Sequence, residues 1–329
     1  MNPKENLIKV IRGKEPEWIP CPMVDGSLRI IFHSLVERAS KSDFDNWGVH
    51  WKLSDPAGGT YPNQHPITKP EMVKHFPLPD PEMPNLTKSA LKMVSEIDRN
   101  KCLLFGDNGW GIFERSWLLT GMDNLLIWMY DEPEVVETLM HRIALVKLRI
   151  TERLIDEVGV DGIRYGDDWG GEEALMMGPD FWRKFIKPQQ KLLYDACKKK
   201  GIFILQHSDG HTEEIISDLI EMGLDILNPL QPECNDIEEI KSKFGKHLAF
   251  HGAVSSRTLN KGTPEEVTKE VKLRISQLTQ GGGYILAPAH SFSYPAPNLQ
   301  SFREAAIEYG KIPEKWRGKF EVRKTDVEV

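Results

Sequence analysis

Ionisable residues that could bind a metal or move protons follow a short apolar run near the middle of the chain. Residues 202–205 predict a buried strand, and His207, Asp209 and His211 come directly after it. Because side chains alternate along an extended chain, His207 and Asp209 would point the same way. Such a pair could be two metal ligands, a histidine held in one tautomer by a carboxylate, or a strand end that caps the next helix.

The same design, a strand-like run followed by polar residues, repeats along the chain. The polar residues at these ends are Asp107, Asp167, Asp168, His207, Asp209, Asn228, Gln231, His251 and His290. In a barrel of parallel strands such positions converge on one face, where active sites lie. For the adjacent Asp167 and Asp168 we expect one side chain to face the barrel mouth and the other to face the following helix. The pattern therefore predicts one functional carboxylate from this pair.

Three histidines at strand ends, His207, His251 and His290, would meet in such a site. A catalytic zinc ion takes three protein ligands and keeps one position open. His207 and His290, together with Asp209 or His251, would supply those ligands. Neutral histidines can equally serve as general acid and base. The residues alone leave a metal site and an acid–base site both open.

Strand-like runs and helical runs alternate regularly from residue 101 onward, in six units. Connections of helical length between strands imply parallel pairing. Two further units are expected from residues 1–100, where residues 43–85 are rich in Pro, Gly and aromatics and predict loops and short strands. The total predicts a (β/α)8 TIM barrel as a single domain over residues 1–329, with residues 1–100 forming the first units plus capping loops. An open doubly wound sheet is the alternative, but neither GxGxxG nor GxxxxGK[ST] occurs.

Composition excludes several classes of function. The chain has 329 residues and a net charge of −7 with dispersed lysines, which argues against nucleic acid as the main partner. It contains no run of about 18 apolar residues, so no membrane span is expected. Residues 1–15 are polar and charged, and the four cysteines form no CxxC. We therefore expect a cytoplasmic protein without a disulfide framework.

From about residue 101 to 310 the chain resembles the uroporphyrinogen decarboxylase superfamily, whose members are (β/α)8 barrels. The matching stretches are Gly166-Asp-Asp-Trp-Gly170, Pro179-Asp-Phe-Trp-Arg183, Ile186-Lys-Pro188, His207-Ser-Asp-Gly210, Asn228-Pro-Leu-Gln-Pro232, Gly262-Thr-Pro-Glu-Glu-Val267, Gly281-Gly-Gly-Tyr-Ile-Leu-Ala-Pro288 and Pro297-Asn298. The N-terminal third matches more loosely.

Uroporphyrinogen decarboxylation itself is disfavoured by the N-terminal residues. True decarboxylases of this superfamily carry an Arg-Gln-Ala-Gly-Arg motif whose arginines hold the carboxylates of an octa-anionic porphyrinogen. At the corresponding place this chain reads Ile19-Pro-Cys-Pro-Met-Val-Asp-Gly-Ser27, with no arginine from Ile19 until Arg29 and with an acidic Asp25. Eight carboxylates need cationic partners, which this segment does not supply.

The other branch of the superfamily consists of cobalamin-dependent methyltransferases, some of which hold zinc in a His-x-Cys…Cys site. Here His207-Ser-Asp209 stands in place of His-x-Cys, and His290 falls near the position of the last Cys. Oxygen and nitrogen ligands would make a harder site than thiolates. The resemblance therefore implies a methyltransferase of the O-demethylase type. Such an enzyme moves a methyl group from a methyl ether, often a methoxylated aromatic, to the Co(I) corrinoid of a partner protein.

Under this hypothesis His207, Asp209 and His290 activate the ether oxygen, either as acids or as ligands of a zinc ion. Asp167 and His251 would stand behind them as a proton relay. The expected substrate contacts are Trp110, Tyr165, Asp168, Trp169, Asp107 and Gln231. Two alternatives stay open: a methylcobalamin:acceptor methyltransferase working in the reverse direction, and a decarboxylase of a small acid. The resemblance also leaves a homodimer open, because relatives are often dimers.

Overall fold

The computed structural model describes residues 1–54, 59–290, 292–312 and 314–318. Its ten strands are β1 (Leu28–Phe32), β2 (Asp43–Phe44), β3 (His50–Leu53), β4 (Thr60–Gln64), β5 (Leu103–Trp110), β6 (Gly162–Gly166), β7 (Phe203–His207), β8 (Ile226–Asn228), β9 (Ala249–Val254) and β10 (Tyr284–Pro288). One sheet holds seven strands in the order β1-β5-β6-β7-β8-β9-β10, and all of its pairs are parallel. The strands β2, β3 and β4 form a small antiparallel sheet.

Helices connect the strands of the large sheet. They are α1 (Pro3–Ile11), α2 (Pro22–Asp25), α3 (Lys88–Ser95), α4 (Ile112–Thr120), α5 (Met122–Asp131), α6 (Pro133–Arg153), α7 (Pro179–Phe181), α8 (Lys187–Lys199), α9 (Glu213–Glu221), α10 (Ile237–Phe244), α11 (Ser256–Lys261), α12 (Pro264–Leu278) and α13 (Ala296–Tyr309). Single π turns at Leu154–Val158 and Trp182–Ile186 extend α6 and join α7 to α8, and 3₁₀ turns lie at Pro70–Met72 and Glu314–Trp316. Within the described ranges every helix is too short or too polar to traverse a bilayer.

The large sheet curls on itself. Leu28 from one edge strand and Ile285 from the other belong to the same apolar cluster, which also takes Phe105, Leu205 and Ile226 from strands between them. The alternate residues of the strands pack in a second cluster with the surrounding helices. One end of the interior is closed by α1, which contributes Leu7, Val10 and Ile11. This arrangement confirms the predicted TIM-barrel fold class.

The strand count differs by one from the prediction. All six strands expected after residue 101 are present, but residues 1–100 give the large sheet only β1. In place of a regular eighth strand, an irregular segment lies beside β10, where Leu286 N donates to Pro20 O at 2.8 Å. Pro20 and Pro22 have no N–H to donate, so this segment cannot build a ladder.

Residues 33–54 and 59–87, between β1 and α3, include the small antiparallel sheet, and buried ion pairs join them to the barrel. We call Glu37, Asp45, Arg115 and Lys147 the Glu37 network. Lys147 Nζ lies 3.0 Å from Glu37 Oε1, and Arg115 contacts both Glu37 and, at 3.1 Å, Asp45. Arg115 and Lys147 come from α4 and α6, and their side chains are at most 1% exposed. The pairs therefore join this segment to the helices of the barrel.

Candidate functional site

A cavity of about 500 Å³ opens at the carboxyl ends of the barrel strands. Arg164, Leu205, His207, Asn228, His251 and Ala287 reach it from β6 to β10. The rest of the wall is mainly apolar and consists of Pro22, Met23, Leu28, Ile30, Pro288, Ala289, His290, Phe292, Ser293 and Tyr294. A space of this size, apolar with a few convergent polar groups, is typical of a small-molecule site.

Four side chains beside the cavity, Asp168, His207, Asp209 and His290, form what we call the His–Asp cluster. His207 Nε2 lies 3.6 Å from Asp168 Oδ1 and 3.6 Å from Asp209 Oδ1. On the other side of Asp209, its Oδ2 lies 3.1 Å from His290 Nδ1. The cluster thus brings together His207, Asp209 and His290, which were predicted as candidate metal ligands, and Asp168, which was predicted as a substrate contact.

Asn228 at the end of β8 fixes the tautomer of His207. The Asn228 Nδ2 group donates to the backbone O of His251 at 3.0 Å, and a carbonyl can only accept. Asn228 Oδ1 is therefore the atom that faces His207 Nδ1, 2.7 Å away, and it must receive a proton from that nitrogen. Neutral His207 then carries its proton on Nδ1 and presents a lone pair on Nε2 to the two carboxylates.

Of the two carboxylate oxygens of Asp209, only Oδ2 has a hydrogen-bond partner among the described residues, and that partner is His290. Hydrogen bonding to Asp209 raises the pKa of His290, which favours a proton on the shared His290 Nδ1. The other oxygen, Asp209 Oδ1, is buried and has no hydrogen-bond partner among the described residues. It faces the unprotonated Nε2 of His207, so two electron-rich atoms point at each other. Two such atoms repel each other unless a positive charge, either a proton or a metal cation, lies between them.

The cluster fits a divalent cation by donor type and spacing. Asp168, His207 and Asp209 each offer one ligand atom, and these atoms lie within 4.8 Å of one another. Ligands of a tetrahedral zinc ion, about 2.0–2.2 Å from the metal, stand about 3.3–3.6 Å apart. Histidine that binds a metal through Nε2 is ordinarily held through Nδ1, which is the part Asn228 plays here.

Close backbone packing sets the position of the two acidic loops. The loop after β6 touches the loop after β7 at Gly170 and Gly210, where a Cβ on Gly210 would lie 2.4 Å from the backbone of Gly170. Asp209 N donates to Asp168 Oδ1 at 2.9 Å, and Gly210 N donates to Gln231 Oε1 at 3.0 Å. Gly210 also has φ +80°, a conformation that favours glycine. The predicted contact residue Gln231 thus supports the Asp209 loop.

Asp167, the other half of the acidic pair, lies away from the cavity and is fully buried. Its two oxygens accept hydrogen bonds from Phe113 N at 2.9 Å and Glu114 N at 2.7 Å, so it caps the N-terminus of α4. Burial raises the pKa of Asp167 to about 7, although these backbone hydrogen bonds oppose the shift. Asp168, in contrast, faces His207.

Three aromatic residues predicted as a pocket wall lie outside the cavity lining. Tyr165 faces the helices, where its hydroxyl meets Thr151 at 3.0 Å. Trp169 is fully buried against Trp182, with ring centroids 5.3 Å apart. Trp110 packs on the edge of a tryptophan in β3, with ring centroids 5.2 Å apart. Packing accounts for the positions of all three.

Two charged residues near the cavity were not anticipated from the sequence. Arg164 on β6 lines the cavity and pairs with the predicted Asp107 on β5, with Nη1 and Oδ1 2.7 Å apart. Glu114 lies near Asp167 and Asp168; burial, together with the charges of both, raises the pKa of Glu114 well above its usual value. A charged residue inside the run Gly162-Ile-Arg-Tyr-Gly166 was the available signal for Arg164, since a buried strand seldom carries an arginine.

His251 on β9 lines the cavity beside Asn228. Its Nδ1 lies 3.0 Å from Asn228 Nδ2, which donates to it, so the ring proton is on Nε2. Burial, with a smaller contribution from the positive charge of Arg164, lowers the pKa of His251 to about 4. The structure therefore places a neutral N–H donor at this position.

Comparison with known proteins agrees with the fold. The family model described as Uroporphyrinogen decarboxylase (URO-D) matches residues 44–309, and the chain therefore belongs to that family. A solved structure described as a methyltransferase from Methanosarcina mazei superimposes with a TM-score of 0.75 and 15% identity, over 94% of this chain and 99% of that chain. Among curated proteins no relative matches the chain.

Proposed function

We propose that this member of the uroporphyrinogen decarboxylase family is a methyltransferase that takes a methyl group from a methyl ether, most simply a methoxylated aromatic, and delivers it to the Co(I) corrinoid of a partner protein. The observation that carries the proposal is the His–Asp cluster at the edge of an apolar cavity. His207 Nε2, whose proton is held on Nδ1 by Asn228, faces two carboxylates across 3.6 Å. A site of this kind holds a positive charge against a substrate oxygen.

The chemistry of an ether explains why such a charge is needed. An alkyl aryl ether is a poor methyl donor until its oxygen is protonated or bound to a metal. During transfer the bond between the methyl carbon and the oxygen breaks, the oxygen keeps the electron pair and takes up a proton, and the methyl carbon joins the Co(I) acceptor. Zinc held by Asp168, His207 and Asp209 would supply a Lewis acid at that oxygen.

The protein's own residues have separate tasks in this proposal. His290, whose pKa is raised by its hydrogen bond to Asp209, holds a proton at Nδ1 within the cluster. Asn228 keeps the Nε2 lone pair of His207 directed at the carboxylates. The apolar wall, including Leu28, Leu205 and Phe292, receives the flat part of the donor and excludes water.

The structural relative named as a methyltransferase supports this reading, because it shares the fold along nearly the whole chain. A decarboxylase of a small acid is the second candidate, favoured by Arg164 in the cavity wall. Among the described residues that line the cavity, Arg164 is the one arginine. A single guanidinium suits one carboxylate and does not match an octa-anionic porphyrinogen.

Paired substitutions test the site assignment. His207→Ala and His290→Ala should abolish methyl transfer while circular dichroism and the melting curve remain those of a folded protein. His141→Ala is the matched control, since His141 is exposed on α6 and should retain full activity. Retained transfer in both cluster variants would overturn the assignment.

Metal content tests the choice between a metal and a proton. Protein purified without chelator should hold about one equivalent of zinc by plasma mass spectrometry. Asp209→Ala should lose it, whereas Asp195→Ala, on the surface of α8, should keep it. Equal metal content in both variants would show that the bound metal lies elsewhere.

A further inference from the structure

In the part of the cavity wall that the structure describes, one permanent cation stands in an apolar surface without an acidic residue. Arg164 supplies the cation, while the other described residues that line the cavity include neither aspartate nor glutamate. Asp168 and Asp209 lie beside the cavity and outside its lining. The electrostatic character of the interior therefore differs from that of the His–Asp cluster next to it.

The guanidinium of Arg164 donates few of its N–H groups to other described residues. Its one hydrogen bond in the described structure runs from Nη1 to Asp107 Oδ1, at 2.7 Å. A guanidinium has five N–H donors, so most of them remain for another acceptor.

The Arg164 head lies at the level of the cluster. Gly166 is the next inward position of β6. A Cβ there would lie 3.2 Å from the backbone O of Gly109, and 3.6 Å and 4.0 Å from Arg164 Nη1 and Nη2. In the parallel register Gly166 lies opposite His207 of β7. The guanidinium thus extends along β6 to the height of His207, on the neighbouring strand.

His251 adds a second donor to the same wall. Because its Nδ1 accepts a hydrogen bond from Asn228, its Nε2 carries the proton. Its pKa, lowered to about 4 by burial and by the charge of Arg164, keeps the ring neutral near pH 7, so it donates without adding a charge. One charged and one neutral donor in an apolar cavity are complementary to an anionic group on a flat ligand.

We propose that Arg164 and His251 form an anion subsite, and that the methyl donor is an aromatic carboxylate whose carboxylate binds there while its methoxy group faces the His–Asp cluster. This inference rests on the proposed function for the identity of the methoxy group, but not for the anion subsite itself. The subsite would select donors by charge and hold the ring in one orientation.

Calorimetric binding measurements test the anion subsite separately from the proposed methyl transfer, because binding requires neither corrinoid nor turnover. The probes are 4-methoxybenzoate and its neutral isostere 4-methoxybenzamide, with the 3-methoxy pair as a second set. Wild-type protein should bind each acid about 10- to 100-fold more tightly than its amide, the ratio expected for a charge-assisted contact. Arg164→Met should bind acid and amide equally, whereas Arg164→Lys should retain part of the preference.

Since Arg164→Met leaves Asp107 unpaired, the double variant Arg164→Met/Asp107→Asn serves as the decisive one. It keeps the local charge balanced, and it too should lose the preference for the acid. Equal binding of acid and amide to wild type, or a preference that persists in the double variant, overturns the subsite.

Activity assays then keep the two proposals apart. If the amide binds as tightly as the acid and is demethylated at the same rate, the anion subsite is refuted and the methyltransferase proposal is retained. If the acid binds in an Arg164-dependent way but neither compound is demethylated, the anion subsite is retained and the proposed methyl transfer is refuted.

Discussion

Replacing Glu37 by glutamine is expected to destabilise the protein by about 3–5 kcal/mol, the cost of leaving a buried ion pair with one partner missing. The Glu37 carboxylate contacts two cations, Lys147 and Arg115, whose side chains are 1% and 0% exposed. Glutamine fits the same space but removes the negative charge. Asp45 then remains as the partner of Arg115, and Lys147 loses its nearest counterion.

The pH dependence of stability gives an independent estimate of the same quantity. Burial alone would raise the pKa of Glu37, but the charges of Lys147 and Arg115 outweigh it and lower the pKa to about 2, from 4.5. A carboxyl whose pKa is lower in the folded state stabilises the protein above its unfolded pKa, and this contribution disappears as the pH falls from about 4.5 toward 2. Two and a half units correspond to about 3 kcal/mol.

Urea denaturation at pH 7 measures the effect, and repeating it between pH 3 and 7 measures the linkage. The control is Glu221→Gln, whose exposed pair with Lys187 should contribute less than about 1 kcal/mol. The double variant Glu37→Gln/Lys147→Met should be more stable than the sum of its single variants, because no cation is left without its partner. A loss below about 1 kcal/mol for Glu37→Gln, or the same acid dependence in wild type and variant, would refute the reasoning.

Three further outcomes follow from the geometry of the site. Gly210→Ala should lower the free energy of unfolding in urea by about 3 kcal/mol, because its Cβ would lie 2.4 Å from backbone atoms. Gly281→Ala is the control, since Gly281 also has a positive φ but lies in open space, and it should lower the free energy by about 1 kcal/mol. Equal losses would contradict the close packing at Gly210. Asp167→Ala should lose about 1–2 kcal/mol as the cap of α4, and an unchanged melting curve would speak against that role. Nitrogen-15 NMR should find His251 neutral with its proton on Nε2 from pH 5 to 8, since burial and Arg164 lower its pKa to about 4; in Arg164→Met its pKa should rise, and titration near 6.5 in wild type would contradict the assignment.

The sequence was most informative where structure is local and periodic. The six strands after residue 101 each carry an apolar run and are separated by helices of ordinary length, so their number and parallel pairing could be predicted. The pair His207 and Asp209 could be predicted to lie together from alternation within a single extended stretch. The N-terminal part was harder, because the prolines at positions 20 and 22 replace a regular strand by an irregular one that only the fold reveals.

The sequence did not show which face of each strand points into the barrel, and the site could not be predicted further than that. Within β6 the alternation sends Arg164 into the cavity and Tyr165 toward the helices, and nothing within that strand alone distinguishes the two registers. The same uncertainty applied to the acidic pair, of which Asp168 meets His207 and Asp167 caps α4. The role of Asn228 depends on contacts across three strands, which arise only from the sheet register.

The most direct test of the proposed function is a single-turnover methyl transfer, carried out without oxygen, from a methoxylated aromatic to chemically reduced cobalamin. We expect wild-type protein to form methylcobalamin and the free phenol in equal amounts, and folded His207→Ala to form neither. Transfer by His207→Ala at the wild-type rate would contradict the account, as would a wild-type protein that decarboxylates the donor without cobalamin and leaves its methoxy group intact.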